Sequence, residues 1–109
     1  MSNRKKRELG LRIDKDERNY RICEDVGDML SALLSMTKAT RRRTHSLFNG
    51  QDTHTEKPKV IQDLDSIYYD LISIKNEISE MAMEYSDDKG EARREREELT
   101  EELRTDDDD

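Results

Sequence analysis

The chain has 109 residues and a formal net charge of −7, with 43% of its residues charged and 31% hydrophobic. This length allows one small domain, and the clustering of the apolar residues predicts a folded middle part between polar ends. No apolar run is long enough to span a bilayer or to form the core of a signal peptide, so we expect neither membrane insertion nor secretion.

Composition also indicates the fold class and the compartment. The chain has one proline and four glycines among many Glu, Lys, Arg and Leu residues, which favours helix over strand and predicts an all-α fold. The single cysteine, Cys23, has no intrachain disulfide partner, as is typical of an intracellular protein in a reducing compartment. We expect a cytoplasmic location, or a nuclear one in a eukaryotic or viral setting.

Residues 1–13 form a basic segment that contains the run NRKKR and carries a charge of about +4. We expect this segment to be a flexible arm. Short runs of Lys and Arg contact the phosphates of nucleic acids, so the arm supplies four candidate nucleic-acid contacts. These are Arg4, Lys5, Lys6 and Arg7.

The first helix is predicted over residues 14–48. Asp14 and Glu17 have the spacing of a capping box, and Asn49 with Gly50 is a common helix stop. Between these signals, apolar residues recur in alternating steps of four and three, as in a helix that packs against another helix. Gly27, in the middle, indicates either a close helix crossing or a local weakness.

The second helix is predicted over residues 58–86, after a polar connection whose Pro58 suits the first turn of a helix. Its apolar residues repeat with the same rhythm as those of the first helix. The sequence therefore predicts an antiparallel, coiled-coil-like two-helix hairpin over residues 14–86. With Val26 and Leu64 at heptad position a, the seam between the helices is predicted at positions a and d.

Further apolar residues lie beside this stripe, at positions e and b of both helices. A two-helix seam covers little more than positions a and d, so this flank would stay in water in a monomer. We therefore expect a homodimer that forms a four-helix bundle, or a hetero-bundle with another protein. The candidate interface residues are Ile22, Cys23, Val26, Leu30, Leu33, Leu34, Ile61, Leu64, Tyr68, Leu71, Ile72 and Ile78.

Residues 87–109 carry a charge of about −7 and end in four aspartates. Their apolar residues are only Ala92, Leu99 and Leu103. The segment is predicted to be either a charged, solvated helix or a disordered acidic tail.

Four cations lie in the last turns of the first helix, at the predicted hairpin tip: Lys38, Arg41, Arg42 and Arg43. Cations at this end of a helix offset its dipole, which gives them a structural interpretation. In the alternative interpretation they contact nucleic-acid phosphates, together with the basic arm.

The segment EDVGDML, residues 24–30, resembles the acidic helix of MazG-like nucleotide pyrophosphohydrolases through Glu24, Asp25 and Asp28. The resemblance implies an all-helical, Mg²⁺-dependent enzyme with a second acidic motif farther along the chain. Between Asp28 and Pro58 the only acidic residues are Asp52 and Glu56, in the predicted loop.

The sequence contains no nucleophile elbow, no phosphate-binding loop and no zinc-type spacing of His and Cys. We therefore expect no enzymatic activity and no cofactor. The sequence predicts a non-enzymatic protein–protein interaction module, such as a small adaptor, assembly factor or regulator of viral or mobile-element origin. A nucleic-acid-binding helical dimer is the alternative, and a pyrophosphohydrolase is a third hypothesis.

Overall fold

The computed structural model describes residues 2–49 and 57–107. Helix α1 comprises Ser2–His45 and continues into a short 3₁₀ turn, Ser46–Phe48, and helix α2 comprises Lys59–Asp107. The two helices form a hairpin, and the described residues contain no strand. The prediction of an all-α helical hairpin is confirmed.

Helix α1 begins at Ser2, so the prediction of a start at Asp14 is wrong. Arg4 forms an ion pair with Glu8 one turn later, at 3.5 Å, and Leu9 and Ile13 are buried. Because apolar contacts begin before residue 14, the helix extends through the basic segment that was expected to be a flexible arm. Packing of an apolar side stabilises a helix more than a local start signal does.

The boundaries near the hairpin tip agree with the sequence prediction. Helix α1 and its 3₁₀ turn end at Phe48, and α2 begins directly after Pro58, whose carbonyl accepts hydrogen bonds from the amides of Ile61 and Gln62. Asn49 has φ −56° and ψ 128°, so it does not adopt the left-handed conformation of a helix stop. Gly50 lies outside the described residues.

Helix α2 extends without a break to Asp107. Of the two alternatives predicted for residues 87–109, the structure shows the charged helix, which extends to Asp107. Ala92 is fully buried there, and Leu99 and Leu103 are half-buried. These sparse apolar residues are enough to pack one side of a helix whose other sides are charged.

Two compact units divide the hairpin. The tip unit is Asp25–Ile78, and the terminal unit combines Met1–Glu24 with Ser79–Asp109. In the terminal unit, Leu9, Ile13 and Ala92 form a small core against which Leu99 packs. Cys23 is buried in this unit and its thiol is free.

In the tip unit the seam between the helices differs from the prediction. Leu30 and Ile61 are buried, whereas Met29, Met36 and Ile67, from the predicted a/d stripe, are 67%, 65% and 49% exposed. The helices therefore pack through positions e and b of both helices and position a of α2. The prediction of an a/d seam is wrong.

Charge pairing gives a physical reason for this rotation of the seam. Arg41 and Asp65 both occupy position b, and the Arg41 guanidinium donates a hydrogen bond to the Asp65 carboxylate. Lys57 also pairs with Asp65, at 3.2 Å. These contacts need the b positions of the two helices to face each other, and an a/d seam would turn the groups apart.

Candidate functional site

One side of the tip unit exposes several apolar side chains from both helices. Each of them immediately precedes a residue of the seam, as Met36 precedes Thr37 and Ile67 precedes Tyr68. A helix turns about 100° per residue, so the residue before a seam residue lies beside the seam and partly in water. We call this set the apolar face; it consists of Met29, Leu33, Met36, Val60, Ile67 and Ile74.

The apolar side chains of both helices lie on the same side of the tip unit. Because α1 and α2 run antiparallel, a residue that precedes the seam is displaced toward the same face in each helix. The pairs Arg41 with Asp65 and Lys38 with Tyr68 set the register. In that register Met36 and Ile67 lie within about one helical turn of each other along the hairpin, so the apolar face extends across both helices.

The structure divides the predicted interface residues into three groups. Cys23, Leu30 and Ile61 are buried inside the hairpin and are not open to a partner. Ile22 and Leu33 are exposed, at 52% and 46%. The remaining seven are half-buried at or beside the seam: Val26, Leu34, Leu64, Tyr68, Leu71, Ile72 and Ile78.

Sequence reasoning missed most of the residues that are in fact exposed. Met29, Met36, Val60, Ile67 and Ile74 belong to the a/d stripe that was assigned to the seam. The signal was present in the width of the apolar pattern, which covers more heptad positions than one partner helix can cover. What the pattern did not reveal was which part of it faces inward.

The opposite side of the tip unit has a pocket of about 510 Å³. Its lining combines cations, one carboxylate and the two neighbouring tyrosines. We call it the tip pocket; the side chains around it are Thr37, Lys38, Arg41, Arg42, Lys57, Asp65, Tyr68 and Tyr69.

Asp65 organises one wall of the tip pocket. Its carboxylate accepts hydrogen bonds from Arg41 and Lys57, and these contacts hold the pKa of Asp65 below its usual value although burial opposes the shift. Asp65 is therefore ionised near neutral pH. Arg41 and Lys57 are fixed by this carboxylate, while Lys38 and Arg42 form no ion pair with any of the described residues.

The tyrosines form the aromatic part of the tip pocket. The rings of Tyr68 and Tyr69 meet edge to face, with centroids 5.9 Å apart and an interplanar angle of 76°. The Lys38 ammonium lies over the Tyr68 ring, 6.0 Å from its centroid. The contact with Tyr68 holds the Tyr69 ring in place. Because Tyr69 is also 66% exposed, its ring remains accessible to a ligand.

The predicted nucleic-acid contacts are divided between the two units, and those of the tip unit lie on different sides of it. Lys38 and Arg42 line the tip pocket, Arg41 is paired with Asp65, and Arg43 precedes the half-buried Thr44 and so lies on the side of the apolar face. The other four belong to the first turns of α1 in the terminal unit. There, Arg4 is paired with Glu8, Lys5 and Arg7 are exposed, and Lys6 is half-buried.

The terminal unit has a buried carboxyl group that the sequence did not single out. Asp16 is 6% exposed, and one of its side-chain oxygens has no hydrogen-bond partner. Burial and the neighbouring Asp88 raise the pKa of Asp16, whereas Arg12, which donates two hydrogen bonds to Asp88, lowers the pKa of Asp88. The two carboxyls therefore affect each other, and Arg12 favours the ionised form of Asp88.

The acidic residues that resemble the pyrophosphohydrolase motif gain no support from the structure. Glu24, Asp25 and Asp28 are exposed. Within residues 2–49 and 57–107, no group of three or more His, Cys, Asp or Glu side chains has an arrangement that could hold a metal ion. Asp52 and Glu56 lie outside the described residues.

Comparison with protein-family models, with curated proteins and with solved structures gave no match. No helix within the described ranges is both long enough and apolar enough to cross a bilayer.

Proposed function

We propose that this protein is a non-enzymatic helical interaction module that acts through its apolar face. The observation that carries the proposal is the position of Met29, Met36, Ile67 and Ile74, which are 43% to 67% exposed on one side of the tip unit. Scattered apolar residues on a surface are ordinary, but apolar residues that recur on the same side of two neighbouring helices are typical of an interface. An adaptor, an assembly factor or a regulator would use such a face.

The expected occupant is a second copy of the chain. Two hairpins that join their apolar faces form a four-helix bundle, in which each exposed side chain is covered by its counterpart. Each half-exposed Leu, Ile or Met contributes about 1 kcal/mol on burial, so the side chains of two faces contribute on the order of 10 kcal/mol. This lies within the ~4–15 kcal/mol range of the cost of association, so the apolar face supports a weak dimer that dissociates on dilution.

Sedimentation equilibrium of the full chain over a range of concentrations tests the proposal. The expected result is a dimer that dissociates on dilution. Ile67→Lys places a charge in the middle of the apolar face and is expected to give a monomer that keeps its helical circular dichroism.

Ser73→Lys is the matched control, because Ser73 is exposed and follows the seam residue Ile72 on the other side of the same helix. It adds the same charge and should leave the dimer intact. Two results together would rule out the apolar face as a binding surface. The wild type would be a monomer at all concentrations, and Ile67→Lys would not change the binding of any partner helix.

A second candidate function is nucleic-acid binding, and the observation that favours it is the set of cations at the hairpin tip. Arg42 and Arg43 are exposed and form no ion pair with a described residue. If the tip contacts phosphates, changing both residues to Gln should weaken binding of a generic RNA strand and reduce its dependence on salt. An unchanged affinity and salt slope would remove the tip from consideration.

A further inference from the structure

The tip pocket and the apolar face lie on opposite sides of the tip unit. Thr37 and Tyr68 are half-buried seam residues, and the residues that follow them, Lys38 and Tyr69, line the tip pocket. The residues that precede them belong to the apolar face. A partner that covers the apolar face therefore leaves the tip pocket open.

The charge of the tip pocket suits an anion. Four cations surround it and one carboxylate, Asp65, balances only part of their charge. Because Asp65 already holds Arg41 and Lys57, the groups that remain for a ligand are Lys38 and Arg42. An ammonium and a guanidinium on successive turns of one helix can bind a phosphate group from two directions.

The tyrosines of the tip pocket offer a stacking surface, which a base can use and a bare phosphate cannot. Tyr69 is mostly exposed, and its edge-to-face contact with Tyr68 restricts the orientation of its ring. A preoriented, accessible ring beside free cations is the combination that binds a base and its phosphate together. The volume of about 510 Å³ lies within the range of small-ligand sites and accommodates one nucleotide.

We propose that the tip pocket binds one nucleotide unit, with its phosphate between Lys38 and Arg42 and its base stacked on Tyr69. The unit belongs to single-stranded nucleic acid or to a free nucleotide, because both present the same phosphate and base. This inference rests on the second candidate function and adds to it a defined site and a requirement for a base.

Fluorescence anisotropy of the full-length chain with a labelled oligothymidylate strand tests the inference. An abasic strand of the same length and charge is the comparison probe. Stacking on one ring is expected to make the oligothymidylate bind about tenfold more tightly than the abasic strand. Unlabelled thymidine monophosphate, added as a competitor, distinguishes the two sources of the nucleotide: displacement identifies a free-nucleotide site, and its absence identifies a site for the polymer.

Two pairs of variants connect the binding to the pocket. Tyr69→Leu removes the aromatic ring and should lower the affinity for oligothymidylate about tenfold, whereas Tyr69→Phe keeps the ring and should change it little. Arg42→Gln should weaken both strands by a similar factor. Arg43→Gln removes the same charge from the next residue, on the other side of the helix, and should have a smaller effect.

The outcomes separate this inference from the function on which it rests. Equal binding of the abasic strand and oligothymidylate, with no effect of Tyr69→Leu, would leave a general phosphate-binding tip and overturn the nucleotide pocket. Competition by an oligoaspartate peptide as effective as that by unlabelled strand would also overturn it, because the site would then recognise charge alone. Failure of every strand to bind would overturn both the pocket and the second candidate function.

Discussion

Gly27 lies in the interior of α1 at a point where a side chain would meet nothing. Apart from its chain neighbours and the backbone of its own helical turns, a Cβ atom built at this position has no heavy atom within 4 Å, so no close helix crossing requires the glycine. Of the two interpretations that the sequence left open, the local weakness is therefore the one that the structure supports. The backbone freedom of glycine in the unfolded chain makes such a position less stable than alanine.

Replacing Gly27 by alanine is expected to raise the free energy of unfolding by about 0.5–1 kcal/mol. The measurement is urea denaturation followed by circular dichroism at 222 nm. Gly90→Ala is a second case with equally open surroundings, and it should give a gain of similar size. A loss of stability in Gly27→Ala would show that a close neighbour does occupy this space.

Asp16 is a residue whose burial costs stability at neutral pH. Its pKa is raised above the ordinary value of 3.8, so protonation of Asp16 is easier in the folded chain than in the unfolded chain. A raised pKa means that the contribution of Asp16 to stability is fully present below 3.8 and is lost as the pH rises through the folded-state value. Asp88, whose pKa is lowered, stabilises the fold above 3.8 and loses this effect as the pH falls.

Asp16→Asn replaces the buried carboxyl by an uncharged amide, whose NH2 group can donate a hydrogen bond toward Asp88. We expect the variant to be more stable than the wild type near pH 7, by up to about 1 kcal/mol because nearby solvent screens the buried charge. The difference should shrink as the pH falls toward 4. Denaturation at several pH values measures it, and a variant that is less stable than the wild type at pH 7 would contradict the raised pKa of Asp16.

At the scale of the elements, Asp65 stabilises the contact between α1 and α2 near the tip. Its carboxylate accepts hydrogen bonds from Arg41 on α1 and from Lys57, which precedes α2. Because the pKa of Asp65 is lowered, this contribution is present above its ordinary pKa and is lost as the pH falls through the folded-state value. The same carboxylate reduces the positive charge of the tip pocket.

Asp65→Asn is therefore expected to change stability and binding in opposite directions. The loss of the ion pairs should lower the free energy of unfolding by about 0.5–1 kcal/mol. The freed cations should at the same time increase the affinity for oligothymidylate, most clearly at low salt. Thermal unfolding and anisotropy on the same sample measure the two effects, and a parallel decrease in both would mean that the variant disturbs the pocket itself.

The elements were largely predictable from the sequence, whereas the side of each helix that faces inward was not. Pro58 and the end of the first apolar pattern located the boundaries at the tip because they act locally. The choice of seam depends on contacts between distant residues, such as Arg41 with Asp65, which a pattern within one helix does not contain. The start at Ser2 was missed for the same reason, since Leu9 and Ile13 pack against Ala92.

At the scale of the whole molecule, the residues on either side of several seam residues belong to two different surfaces. Met36 and Ile67, before the seam residues Thr37 and Tyr68, are apolar, and Lys38 and Tyr69, after them, line the tip pocket. The same division continues along the seam, where serines follow Leu30, Leu34 and Ile72. The helical period therefore lets one hairpin present an apolar face and a polar face without any further element.

If the apolar face joins two copies, the thermal stability of the protein depends on its concentration. Mass action stabilises a folded dimer over unfolded monomers, so the unfolding midpoint of the wild type should rise as the concentration increases. Met36→Glu places a carboxylate on the apolar face, and its midpoint is expected to be lower and independent of concentration. Circular dichroism melting curves over a wide range of concentrations measure both quantities.

Ser35→Glu is the control for this experiment, because Ser35 is exposed and follows the seam residue Leu34 on the polar side of α1. Its midpoint should keep the concentration dependence of the wild type. A midpoint that is independent of concentration in the wild type, together with equal effects of the two glutamates, would mean that a second copy does not cover the apolar face. The hairpin would then be a monomer whose apolar face is open to the helices of another protein, and the expected gain in stability would depend on the concentration of that partner.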